Sequence, residues 1–180
     1  MRKIIVCSML CMMALTGCIN NEMDTMNKMC SEKFNLNTCE MEKVEPSRCL
    51  YDISTSNNGK RHFVVYYDSL KCMSCEISKL NNWHKILMEI YDQKTETDAL
   101  FIFATQKNMR HEVLESLSDS HFGHPVYIDT TGAFTRNNPH FPNDSRFHVF
   151  LTDENNNVIH AGNPLSNEKL QALFQKIINE

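Results

Sequence analysis

The sequence predicts an α/β fold: a central mixed β-sheet flanked by helices, preceded by an N-terminal tether. Three observations carry this. From residue 60 onward, runs of β-branched and aromatic residues alternate with segments of helical period. One of these runs, Ala99-Leu100-Phe101-Ile102-Phe103-Ala104, is continuously apolar, as expected of a central strand covered on both faces. Near the C-terminus, strand, turn and strand follow directly on one another, so antiparallel neighbours stand beside parallel ones.

Each element follows from its residues. Phe63-Val64-Val65-Tyr66-Tyr67 lies between polar turn residues and predicts a buried strand over 62–67. Ile77, Leu80, Trp83, Leu87 and Ile90 recur at helical spacing and predict a helix over 74–92. Met109, Val113, Leu114 and Leu117 do the same over 108–119. Pro125-Val126-Tyr127-Ile128 reads as a short strand ending at Asp129, with a turn at Thr130-Thr131-Gly132. Residues 133–145, with Pro139, Pro142 and several Asn, read as irregular. Phe147 to Leu151 is a strand, 153–157 a hairpin turn and Val158 to Ala161 the returning strand. Gly162-Asn163-Pro164 stops it. Ser166 suits an N-cap for a last helix with Leu170, Leu173, Phe174, Ile177 and Ile178 on one face.

Cys72-Met73-Ser74-Cys75 lies at the first strand-to-helix junction of this domain. That position puts the Cys72 thiol at a helix N-terminus, where unpaired N–H groups and the macrodipole favour thiolate. Cys75 follows one turn later, close enough to attack a mixed disulfide formed by Cys72. The spacing and context predict thiol–disulfide exchange, with Cys72 the more exposed thiol and Cys75 covered.

The N-terminus speaks to location. Arg2 and Lys3 precede an apolar stretch from Ile4 to Leu15, well short of the ~20 residues that span a bilayer. Residues 1–17 therefore read as a leader, 18–58 as a tether and 59–180 as the domain. As a flexible coil the tether would reach a few tens of ångströms, at ~5–6 Å × √n. Val44, Leu50, Tyr51 and Ile53 are the residues in it that could add an edge strand or a clasp. The chain holds 18 Lys plus Arg against 22 Asp plus Glu, a formal net charge of −4. Without a basic run, this acidic balance argues against nucleic acid and against electrostatic adhesion to anionic lipid. Of eight cysteines, Cys30, Cys39, Cys49, Cys72 and Cys75 remain once Cys7, Cys11 and Cys18 are set aside. That number is odd, and the pairing of the first three stays open.

Two resemblances sharpen these expectations. Leu15-Thr16-Gly17-Cys18 resembles the lipobox of bacterial lipoproteins, which implies cleavage before Cys18 and its acylation. Ile19 is not the aspartate associated with inner-membrane retention, so an outer-membrane anchor facing the periplasm is favoured. The order of elements around Tyr66 to Cys75 and Phe147 to Ile159 resembles the thioredoxin fold, in particular TlpA-type membrane-tethered thiol–disulfide oxidoreductases. This implies that Cys72 and Cys75 are the catalytic pair and that no cofactor is needed. It also implies cysteine-containing envelope proteins as clients and a membrane electron donor or acceptor as partner.

The resemblance breaks at two places. Phe147 stands where the family has a cis-proline, and Lys71 where an aromatic residue commonly precedes the first cysteine. A non-proline cis bond costs roughly 3 kcal/mol, so a trans peptide or a shifted loop is expected at Phe147. Lys71 is either a thiolate-stabilising charge or a solvated one. His148 is brought near the disulfide, where it is either a proton carrier or, the favoured reading, a solvent-facing strand histidine. His121 and His124 form a close pair for which no metal role is expected. Two other classes compete: copper binding through Met23, Met26, Met29 and Cys30, and a peroxidase through Ser69-Leu70-Lys71-Cys72, whose motif would want a proline at Val65. A client-binding module without redox turnover is a further alternative.

Overall fold

Alternation along one strand decides the architecture. In β2 (Arg61–Tyr67), Phe63, Val65 and Tyr67 face one way and Val64 and Tyr66 the other, and all five are buried. A strand apolar on both faces must be covered on both, so it lies in the middle of a sheet. The computed structural model describes residues 22–51, 61–92 and 97–179. The leader, Cys18 and Ile53 lie outside these.

β2 is flanked by β3 (Thr97–Ala104), parallel to it, and by β5 (Val149–Thr152), antiparallel. β4 (Val126–Asp129) adds in parallel beside β3, and β6 (Val158–Ala161) antiparallel beside β5. With β1 (Glu42–Val44) antiparallel on β4, the six strands run in the order β1-β4-β3-β2-β5-β6. A mixed sheet with helices on both faces is the arrangement expected, and the fold is thioredoxin-like.

One face packs Phe63, Val65, Tyr67 and Phe101 against Ile77, Trp83 and Leu87, against Val113 and Leu117 of α4 (Arg110–Ser120), and against Phe174 and Ile178 of α6 (Glu168–Ile178). The opposite face packs Val64, Tyr66, Ile102 and Phe150 against Phe134 of α5 (Ala133–Asn137) and against Met29 and Phe34.

Several boundaries differ from the sequence reading, each for a local reason. The single helix expected over 74–92 is broken into α2 (Met73–Ile77), a 3-10 turn (Leu80–Trp83) and α3 (His84–Asp92). The Ser78 hydroxyl donates to the Cys75 carbonyl (2.9 Å), and the Asn81 amide donates to the Ser120 carbonyl at the end of α4 (3.1 Å). Such side chains compete with the helical ladder. Within the stretch expected to be irregular, α5 forms because buried Asp129 accepts from the N–H groups of Thr131, Ala133 and Phe134. The last helix is capped by Asn167, whose side chain accepts from the Leu170 N–H, and not by Ser166, which bonds to the Asn163 carbonyl.

The polar N-terminal segment also differs from a free tether over its described part. Residues 22–31 form a helix, α1, and Met29 on it is fully buried. Glu22 pairs with Arg146, ahead of β5. At the other end of α1, Lys33 bridges to Asn157 and the Phe34 N–H donates to the Asn156 carbonyl (3.0 Å), in the β5–β6 turn. So the segment runs alongside β5, from one end of that strand to the other, on the Phe134 side. Met29 and Phe34 are isolated apolar residues with no period, and only the groove they fill gives them meaning, while Tyr51, foreseen as a clasp, packs on the opposite face. The edge strand foreseen at Val44 is β1.

Met29→Ala should lower the unfolding free energy by about 2–5 kcal/mol, the usual cost of emptying a buried methionine site. A urea midpoint unchanged from that of the unaltered domain would mean that α1 is not part of the core.

Candidate active site

The dithiol is built by one carboxylate and a short helix. β2 ends at Tyr67, and Asp68 turns the chain: its Oδ1 accepts from the Leu70 N–H (2.9 Å) and its carbonyl from the Lys71 N–H (3.1 Å). An Asx turn of this kind could have been read from Asp68-Ser69-Leu70. Cys72 is then the N-cap of α2, with extended backbone, and its carbonyl accepts the Glu76 N–H at 3.0 Å. Cys72 and Cys75 are joined as a disulfide with their Cα atoms 5.3 Å apart.

Both cysteines are exposed. The expectation that Cys75 is covered fails: α2 is only five residues long, and Ile77 is the one residue of it that is buried. The unpaired N–H groups of its first turn still surround Cys72, but a helix this short adds little macrodipole. The Ser74 hydroxyl lies 3.5 Å from the Cys72 sulfur, within reach of a weak hydrogen bond.

Below the pair, the Trp83 indole N–H donates to the Tyr67 phenol (2.9 Å), which stacks on Phe103 at 4.5 Å. Burial pushes the Tyr67 phenol up, so the layer beneath the dithiol is neutral. Beside the pair runs a groove of ≈ 320 Å³. Ser69 and Lys71 to Ser74 form one wall, and Thr105, Gln106, Met109, Glu112, Val113 and Ser116 the other. The second wall had no signature in the sequence. It is assembled because β3 is parallel to β2, which brings the start of α4 to the same end of the sheet.

Of the other residues singled out, Lys71 is exposed next to Cys72. Phe147 is half-buried in a 3-10 turn (Ser145–Phe147), and there is no cis peptide bond among the described residues. β5 begins only at Val149, so His148 is not a solvent-facing strand residue. It is buried, with its Nε2–H donating to the Pro142 carbonyl (2.9 Å) and its ring stacked on Phe141. Burial pushes its pKa down, and the charges of Asp68 and Lys71 both reach it. Its Nδ1 has no hydrogen-bond partner. His148 therefore stands at the dithiol end of the sheet as a neutral imidazole.

The competing sites lack geometry. Met29 of the proposed copper set is enclosed in the core, whereas Met23 is exposed. Ser69 is hydrogen-bonded to Asp68 and not to Cys72. No group of three or more His, Cys, Asp or Glu among the described residues converges as metal ligands would. His121 is exposed, but His124 is buried: its Nδ1–H donates to the Pro125 carbonyl (2.7 Å) and its Nε2 accepts from the Tyr91 hydroxyl (2.8 Å). Tyr91 in turn accepts from the Ala99 N–H (3.1 Å). Cys30, Cys39 and Cys49 are exposed and unbonded to one another.

No protein-family model matches the chain, and no curated protein matches it. Solved structures do resemble it. A protein assigned as thiol:disulfide interchange protein DsbE from Chlorobium tepidum is 16% identical, with a TM-score of 0.47 over 82% of this chain and 96% of that one. StoA from Bacillus subtilis is 14% identical, with a TM-score of 0.45 over 80% and 100%. AhpC from Mycobacterium tuberculosis is 12% identical, with a TM-score of 0.46 over 83% and 93%. At identities this low, the chemistry must be read from the chain's own residues.

His124 makes stability depend on pH. Burial pulls its pKa from the ordinary 6.5 to about 4. Between those values the unfolded chain takes up a proton that the folded chain refuses, so stability is full above 6.5 and is lost as the pH falls toward 4. From pH 7 to 4.5 this group alone should remove about 2–3 kcal/mol. Urea unfolding curves should show a shallower loss in His124→Gln, and equal pH slopes in the two proteins would reject the assignment.

Proposed function

We propose that this thioredoxin-like chain is an envelope thiol–disulfide oxidoreductase held to the membrane by acylation of Cys18, with residues 1–17 removed as a leader. A single observation supports the redox part most. The Cys72–Cys75 bond is open to solvent where β2 hands over to α2, beside a groove of ≈ 320 Å³. A disulfide serving only structure gains nothing from that exposure.

In the reducing direction the Cys72 thiolate attacks a client disulfide, forms the mixed disulfide and expels one client thiolate. Cys75 then attacks the Cys72 sulfur, which releases the second client thiol and leaves the Cys72–Cys75 bond. A membrane donor returns two electrons to that bond. The oxidising direction runs the same bonds backwards, and the partner's potential sets which way they run. The first-turn N–H groups lower the cost of the Cys72 thiolate, and Lys71 adds a positive charge beside it. Among the described residues no helix is long and apolar enough to cross a membrane. In this reading attachment rests on the lipid. More than one acyl chain, at ~0.8 kcal/mol per buried CH₂, is sufficient.

Cys75→Ser should accumulate mixed disulfides between Cys72 and envelope proteins, seen as adducts that dissolve on reduction, while Cys72→Ser should accumulate few. Absence of adducts from both variants would leave a binding module with an inert bond. Separately, Cys18→Ser should abolish acylation and free the domain from the membrane fraction, and an unchanged acyl mass would reject that anchor.

A further inference from the structure

The same features fix which way the domain faces. Glu22 of α1 pairs through its carboxylate with Arg146. Arg146 is also held by Asp144, and the turn it belongs to leads through His148 into β5. The His148 carbonyl accepts from the Tyr66 N–H at 2.9 Å, so this turn sits at the C-terminal end of β2. That is the end from which Cys72 emerges. The far end of α1 is fastened at Asn156 and Asn157, across the sheet. Glu22 therefore lies at the dithiol end, and only three residues separate it from Cys18. Fully extended, the four steps from Cys18 to Glu22 reach about 14 Å, far less than the few tens of ångströms of a free tether.

The surface at this end suits such a position. Leu70, in the turn ahead of Cys72, is 91% exposed, the most of any large apolar side chain described. Lys71 and Lys107 are exposed at the same end. An apolar side chain flanked by lysine is the composition of an interfacial contact.

We infer that the acylated protein holds its dithiol end against the bilayer, facing the membrane donor of the proposed cycle. This rests on the acylation of Cys18. It excludes the opposite geometry, in which the dithiol points away from the membrane toward soluble clients.

The test uses the full acylated chain, with Cys30, Cys39, Cys49 and Cys75 replaced by serine, in vesicles of neutral lipid. A small fraction of the lipid carries a pyridyl disulfide on its headgroup. The Cys72 thiolate attacks this bond, forms a protein–lipid disulfide and releases pyridine-2-thione, whose absorbance gives the rate. A control chain carries Cys72→Ser and Asn155→Cys, which puts the one reactive thiol in the β5–β6 turn at the other end of the sheet. Each rate is divided by the same thiol's rate with the free disulfide in solution, which removes intrinsic reactivity. The normalised rate of Cys72 should exceed that of the control by roughly tenfold, through its higher effective concentration at the surface. Insertion of about twenty Gly/Ser residues between Asn20 and Asn21 should abolish the difference. Equal normalised rates in acylated protein overturn the inference and leave the oxidoreductase reading intact. A protein mass without acyl chains overturns the anchor and the orientation together.

Discussion

Everything in this molecule hangs on the double pairing of β2. All seven of its residues pair with β3 on one edge, His62 to Val65 pair with β5 on the other, and its side chains supply both cores. A shift of one residue in that register would exchange Phe63, Val65 and Tyr67 with Val64 and Tyr66. The two faces are not equivalent, since Tyr67 must meet Trp83 under the dithiol helix while Tyr66 stacks on Phe134. The register is therefore fixed chemically as well as by volume, and the point at which the chain leaves the sheet toward Cys72 is fixed with it.

What the sequence revealed and what it hid divide along a physical line. Strands with strong β-branched and aromatic content were readable because their burial is nearly complete: all eight residues of β3 are buried. The dithiol was readable because both cysteines lie within four residues of one junction. Features that depend on distant partners were not. The wall formed by Gln106, Met109 and Glu112 belongs to the site only through parallel pairing of two strands. His148 looked like an outward strand residue, because alternation from Phe147 assigns it so. The true strand starts two residues later, after a 3-10 turn that Asp144 caps through the Arg146 N–H. Helix breaks were hidden for a related reason. Ser78 and Asn81 fit a helix by propensity, and only their particular carbonyl partners draw them out of it.

Covering one face of the sheet with the N-terminal segment has its own logic. Ahead of the domain, Met29 and Phe34 are the large apolar side chains fully or nearly fully enclosed on that side, and Phe34 packs on Phe150 with ring centres 4.9 Å apart. Without them Val64, Ile102 and Phe150 would face water. The polar composition that reads as linker is the solvent side of a covering layer, and two large side chains every few residues suffice to hold it.

The clasp between α1 and the rest also orders events in time. Glu22 and Arg146 are 124 residues apart, and Phe34 reaches Asn156 across a similar stretch. Contacts this distant carry a large loop-closure entropy and form late. A chain that emerges N-terminus first completes β2 and β3 before the docking site for α1 exists. Until the β5–β6 hairpin arrives, α1 has nowhere to settle and the side of the sheet that carries Val64, Ile102 and Phe150 stays uncovered. Closure of the second core is therefore the final step of folding, so an incomplete chain carries an apolar sheet face that only the finished protein hides.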